Sequence, residues 1–214
     1  MELDFGALHE IALPLDDQIY KQYSHLIPSK LDKAIDSRKR EFLAGRYCAI
    51  MAAKSLGITL EQIPSHEDRS PVWPKTIVGS ISHNKEVAIA LVDLKSSSRS
   101  VGIDVETLIV EERIETIEKM VATPKELAFL KFFNKKLLAY TVLFSSKEAL
   151  FKLIHPLAKV FFGFKEAELV SLDLDEGRFV LKITSDQIEL KKIKRSYEGQ
   201  FFLKDGRITS VLRL

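Results

Sequence analysis

The chain has 214 residues, 46% of them hydrophobic and 29% charged, with a net charge of +2. That balance excludes a disordered chain and suits a soluble globular protein of one large or two small domains. The charge is too mild to draw nucleic acid by its bulk field, so any anion site must come from local clusters.

Met1-Glu2-Leu3-Asp4 carries acids where a secretory leader wants basic residues. No apolar run approaches the ~18 residues of a membrane span, and the expected compartment is the cytoplasm. Residues 1–30 hold short apolar stretches and turn residues with little chemistry. From about Asp36 to Leu56 the apolar positions Phe42, Leu43, Tyr47, Ile50 and Met51 recur at helical steps. Asp36 or Ser37 can cap the start and Gly57 the end. Gly45 costs this helix about 1 kcal/mol against alanine, so a packed neighbour or a ligand must approach the backbone beside Arg46. Arg38, Lys39 and Arg40 lie on the same helix. Cys48, the single cysteine, leaves no disulfide and no cysteine-based zinc site, and reads as a small core residue.

Asp68–Pro74 is a stiff, extended loop set by two prolines. Trp73 either covers the core or, beside Arg69, walls a site for a flat anionic group. Val78–Asn84 then brings Gly79, Ser80, Ser82 and His83, donors of the kind a phosphate needs. After the apolar strand Val87–Val92 and a serine-rich loop comes Val101–Glu106. Alternation turns Ile103 and Val105 into the core and puts Asp104 and Glu106 together on the other face. Two such carboxylates suit Mg²⁺, which takes one or two of them and completes its shell with water and substrate phosphates. A solvated strand end is the plainer alternative.

Thr123-Pro124-Lys125-Glu126 predicts a capping box with proline at the first helical position, opening a helix through Phe133. A second helix is expected from about Lys136 to Ile154, stopping before Pro156. On it Glu148 and Lys152 share a face one turn apart, as an ion pair or as parts of one site. The last third reads as an antiparallel meander, Glu168–Leu174, Arg178–Thr184, Gln200–Leu203 and Arg207–Leu212, with Asp205-Gly206 as a hairpin turn. Lys191–Arg195 is a basic run that reads as a solvated rim.

Five stretches together resemble the 4′-phosphopantetheinyl transferase superfamily, with the closer likeness to its monomeric, siderophore-synthetase-activating (enterobactin synthetase component D) type. They are Arg40-Glu41-Phe42-Leu43-Ala44-Gly45-Arg46, Arg69-Ser70-Pro71-Val72-Trp73-Pro74, Gly79-Ser80-Ile81-Ser82-His83, Gly102-Ile103-Asp104-Val105-Glu106, and Phe144-Ser145-Ser146-Lys147-Glu148-Ala149-Leu150-Phe151-Lys152. Any one is weak; the last two in this order are specific. The resemblance implies an α+β fold of two pseudo-symmetric α/β halves with antiparallel sheets and the active site in the cleft between them. Here the cut falls at residues 1–103, with the coenzyme A-binding helix and loops, and 104–214, with the metal site, carrier-docking helices and meander.

It also implies the reaction, transfer of 4′-phosphopantetheine from coenzyme A to a serine of an apo peptidyl, aryl or acyl carrier protein, with release of adenosine 3′,5′-bisphosphate. Asp104, Glu106 and Glu148 would hold Mg²⁺, Glu148 would serve as general base, and Lys152 would steady the diphosphate and protonate the leaving group. Arg46, Arg69, Ser82, His83 and Lys147 match coenzyme A contacts. Lysines 119, 125, 131, 135 and 136 would face an acidic carrier, or simply solvent, and a monomer without a nucleic-acid partner is expected. Like charges 4 Å apart repel by about 4 kcal/mol at an effective dielectric of 20, so a triad of carboxylates calls for a divalent cation. Lys75-Thr76 and Asn84-Lys85 depart from the family pattern and bear on the shape of the nucleotide pocket. A Mg²⁺-dependent phosphohydrolase, or a non-catalytic coenzyme A- or nucleic-acid-binding module, remains the alternative on sequence alone.

Overall fold

The computed structural model describes residues 3–184 and 194–214, so Lys191 to Ile193 of the basic run lie outside the described residues. The chain folds as two compact units, Met1–Val101 with Leu214, and Gly102–Arg213. Both mix helices with antiparallel pairing, an α+β architecture.

The first unit is a three-stranded sheet of order β1-β3-β2, with β1 at Ala7–Ala12, β2 at Ile77–His83 and β3 at Val87–Leu94. Helix α1 (Asp17–Tyr23) is capped by Asp16, and helix α2 (Asp36–Ser55) packs on the sheet. Ala44, Cys48, Ala49, Ala52 and Ala53 of α2 meet Ala88, Ala90 and Val92 in one buried cluster. Small residues on both sides let helix and sheet backbones come close. Gly45 belongs to that fit: a Cβ there would stand 2.8 Å from Ile81 Cγ2, so a packed neighbour rather than a ligand explains it. The expected cap at Asp36 does not form. Ile35 is the N-cap without a side-chain bond, and the Asp36 carboxylate accepts from Arg40 Nε at 2.7 Å. Gly57 does close the helix: at φ 75° its N–H reaches Lys54 O, and Ile58 N–H reaches Ala53 O, a Schellman ending. Cys48 is fully buried, and its thiol donates to Ala88 O at 3.3 Å.

The second unit is a five-stranded sheet of order β4-β8-β7-β6-β5. Its strands are β4 (Val101–Thr107), β5 (Ala167–Asp173), β6 (Arg178–Ile183), β7 (Ser196–Lys204) and β8 (Arg207–Arg213). Asp205 and Gly206 join β7 to β8 with φ of 50° and 71°, the two left-handed residues a tight primed turn requires. Helices α3 (Ile114–Met120), α4 (Pro124–Leu130) and α5 (Lys136–Ala158) complete the unit, and α5 packs on β8. The α4 capping box forms as expected. The helix ends at Leu130 rather than Phe133, because Phe132 and Phe133 donate only to residues three back. Helix α5 runs past Pro156 to Ala158 and stops at Lys159 in the left-handed region, φ 55°. A proline two residues from the end removes a single ladder donor and does not halt the last turn.

Candidate active site

Strand β4 lies directly against α5. A Cβ on Gly102 would stand 2.1 Å from the Ala149 carbonyl oxygen, so only glycine permits this approach. It brings the β4 carboxylates beside the α5 residues Glu148 and Lys152. Ile103 and Val105 are fully buried, Asp104 is 3% exposed, and Glu106 is half-buried near the strand end. Lys152 Nζ sits 2.7 Å from Asp104 Oδ1.

The electrostatics define the neighbourhood. Burial pushes the Glu106 carboxyl up to about 7, with Asp104 and Glu148 adding to the rise and Lys152 and Arg113 opposing it. Glu148 is raised as well, by burial first and then by Asp104. Asp104, Glu106, Glu148 and Lys152 therefore act on one another within the second unit. The carboxylates do not close on a common point: among the described residues no group of three or more His, Cys, Asp or Glu side chains stands ready to hold a metal ion. Asp104 faces the Lys152 ammonium instead. The donor chemistry nonetheless fits Mg²⁺, since Asp104, Glu106 and Glu148 supply hard oxygens whose like charges repel one another.

Lys147, which matches a coenzyme A contact by resemblance, lies 2% exposed in the fold with all three ammonium hydrogens committed, to Val121 O, Glu126 Oε2 and Phe164 O at 2.8–2.9 Å. Glu126, 1% exposed, also takes Thr123 N–H and Leu169 N–H.

In the first unit, Arg46 is 5% exposed and reaches Ile63 O and Ser65 Oγ, both at 2.8 Å, with its guanidinium over the Phe42 ring. Burial lowers it to about 10, which leaves it cationic at neutral pH. Arg69 stands exposed at φ 70° on a turn whose Asp68 carboxylate accepts from Ser70. Trp73 packs on β2, where a Gly79 Cβ would be 2.5 Å from its ring; here it covers the strand. Ser82 is buried, and His83 ends β2 half-exposed. Arg38, which the sequence shows only as one of the basic residues of α2, gains a specific partner in the fold. Its Nη1 lies 3.2 Å from His83 Nε2 and 3.2 Å from Glu41 Oε2. A guanidinium only donates, so a hydrogen bond here needs the Nε2 lone pair and hence Nδ1–H. Only the folded approach of α2 to β2 could have paired them. Asn84 accepts from Glu86 and Val87 N–H and so shapes the turn after His83. Lys119, Lys125 and Lys135 are exposed and paired with Glu115, Glu168 and Asp175, and Lys136 lies over the Tyr140 ring.

Comparison with known proteins adds a family. A family model described as the 4′-phosphopantetheinyl transferase N-terminal domain matches residues 26–93, and that of the 4′-phosphopantetheinyl transferase superfamily matches residues 100–203. The 4′-phosphopantetheinyl transferase Npt of Nocardia iowensis is 30% identical over 207 residues, covering 93% of this chain and 90% of the relative. The 4′-phosphopantetheinyl transferase PptT of Mycobacterium tuberculosis is 31% identical, covering 72% of this chain and 69% of the relative. Enterobactin synthase component D of Escherichia coli is 36% identical over 58% of each chain.

Proposed function

The chain belongs to the 4′-phosphopantetheinyl transferase superfamily, and from that membership we propose how its residues divide the work. As a member it transfers the 4′-phosphopantetheine group of coenzyme A to carrier proteins. In our reading Asp104, Glu106 and Glu148 hold Mg²⁺, which when bound offsets the charge of the coenzyme A diphosphate. Glu148 takes the proton of the carrier serine hydroxyl; its burial, which raises its proton affinity, favours that task. The serine oxygen then bonds to the pantetheine-side phosphorus as the bond to adenosine 3′,5′-bisphosphate breaks. Lys152 leaves Asp104 to steady the diphosphate and donate to the departing phosphate. Arg46, Arg69, Ser82 and His83, joined by Arg38, serve the nucleotide phosphates. Lys147 keeps no phosphate role.

The supporting observation is that Gly102 lets β4 lie against α5, where buried Asp104 meets Lys152 at 2.7 Å one turn from Glu148; the raised Glu106 and Glu148 carboxyls agree with it. We further propose a cytoplasmic monomer that acts on carriers of non-ribosomal peptide or siderophore synthesis, by analogy with the enterobactin synthase relatives, with no nucleic-acid partner. No described helix is long and apolar enough to cross a membrane.

The test is intact-mass measurement of a panel of apo carriers incubated with the protein, coenzyme A and Mg²⁺. A phosphopantetheine gain that vanishes with chelator and in a folded Asp104→Ala variant supports the assignment. Full transfer by Asp104→Ala, or none by the parent where a known transferase succeeds in parallel, refutes it.

A further inference from the structure

Lys147 and Glu126 form an ion pair at 2.8 Å with both side chains 1% exposed. Replacing such a pair by apolar residues is often neutral for stability, so its presence needs another account. Its hydrogen bonds give one. Through Lys147 the pair holds α5 to the end of α3 at Val121 and to the turn at Phe164. Through Glu126 it holds the start of α4 at Thr123 and strand β5 at Leu169. Four segments thus converge on one point of α5, and the next residue along that helix is Glu148.

We propose that the Lys147–Glu126 pair is a positioning device for transfer, fixing the rotation of α5 so that Glu148 and Lys152 meet β4 in the productive arrangement. The inference rests on the roles given above to Glu148 and Lys152. Neighbouring residues stand ~100° apart around a helix, so Lys147 can be anchored on one side while Glu148 faces Asp104 on another. A rotation of about 10° moves a carboxylate ~6 Å from the helix axis by ~1 Å. A misplacement of ~1 Å can cost on the order of a hundredfold in rate.

The experiment compares the parent with the double variant Glu126→Gln/Lys147→Met, which removes both charges together and keeps one acceptor oxygen for the Thr123 and Leu169 N–H groups. Three quantities are read: the unfolding transition, the coenzyme A dissociation constant by calorimetry, and kcat at saturating carrier. The expected result is a cooperative transition, coenzyme A affinity within about twofold, and kcat lowered by on the order of tenfold or more. Parent-like kcat in the folded double variant overturns the proposal. So does weakened coenzyme A binding with kcat intact, which would mark Lys147 as a phosphate contact after all. Should the double variant not fold, Glu126→Asp decides, because it keeps the charge and shortens the arm by one methylene; undiminished kcat there also overturns the proposal. Glu148→Gln in parallel separates the two levels. Full turnover in that variant defeats the role of Glu148, whereas its loss beside full turnover in the double variant defeats only the positioning device.

Discussion

Gly102→Ala tests the geometry on which the site depends. The added Cβ would lie 2.1 Å from the Ala149 carbonyl oxygen and 3.0 Å from both the Ala149 carbonyl carbon and Leu153 Cβ. Carbon–oxygen contacts settle near 3.3 Å, so β4 and α5 must part by about 1 Å. None of these atoms is a flexible side-chain tip: the Ala149 carbonyl is α5 main chain, and Leu153 Cβ is the root of its side chain. Overpacking of this kind costs about 1–3 kcal/mol, or a fall in Tm of about 5 °C at the ~2–4 °C per kcal/mol of a chain this size. The larger effect is on turnover, because Asp104 moves with the strand while Glu148 and Lys152 stay with the helix. A separation of ~1 Å predicts a loss on the order of a hundredfold in kcat/KM. Steady-state transfer to a carrier, followed by mass spectrometry at one temperature at which parent and variant are both folded, reads this directly. Gly206→Ala is the control: it strains a left-handed turn at φ 71°, yet nothing lies within 4 Å of its Cβ. Equal stability loss in both variants with equal retention of kcat/KM would refute the argument.

Three further outcomes are expected. Glu106, raised to about 7 in the folded protein, holds its proton longer than in the unfolded chain, so without Mg²⁺ its contribution to stability falls as pH rises from about 4.5 to about 7. The difference in Tm between the parent and Glu106→Gln should shift against the parent across that window, and added Mg²⁺ should reverse it above the window; a pH-independent difference would refute the shift. Lys147→Met alone leaves the Glu126 carboxylate buried without its cation and should cost about 3–5 kcal/mol in denaturant unfolding; the paired Glu126→Gln should relieve only part of it, since it drops the charge but leaves one acceptor oxygen for the Thr123 and Leu169 N–H groups. Gly79→Ala drives a Cβ into the Trp73 ring, 2.5 Å away. Because Trp73 is the single tryptophan, its emission should move to longer wavelength as the ring leaves β2, and an unchanged spectrum would show that the ring packs elsewhere.

Much of the fold was legible because local signals agreed. The Thr123–Glu126 box, the Gly57 ending and the Asp205-Gly206 turn each encode their geometry within four residues. The meander followed from alternation, though β7 begins at Ser196, before the expected Gln200. Pro156 misled because the rule against helical proline weakens where few ladder bonds remain to be broken. For the site, Asp104, Glu106, Glu148 and Lys152 could be named from motifs, and they do influence one another. What spacing could not reveal was competition among partners. Lys147 finds Glu126 across 21 positions, and Arg38 finds His83 across 45. A motif identifies which residues are charged; only packing decides whether a charge is left for a ligand.

The setting of Cys48 has a practical consequence. Burial pushes its thiol up to about 12, so almost none is thiolate at neutral pH, and thiolate is the form that attacks disulfides. Coenzyme A itself carries a free thiol, and oxidised stocks of it would trap a protein with a reactive cysteine as a mixed adduct. This chain is shielded from that side reaction while folded. A cysteine introduced on its surface would consequently be the sole fast-reacting thiol, a ready handle for attaching a probe to follow carrier encounter.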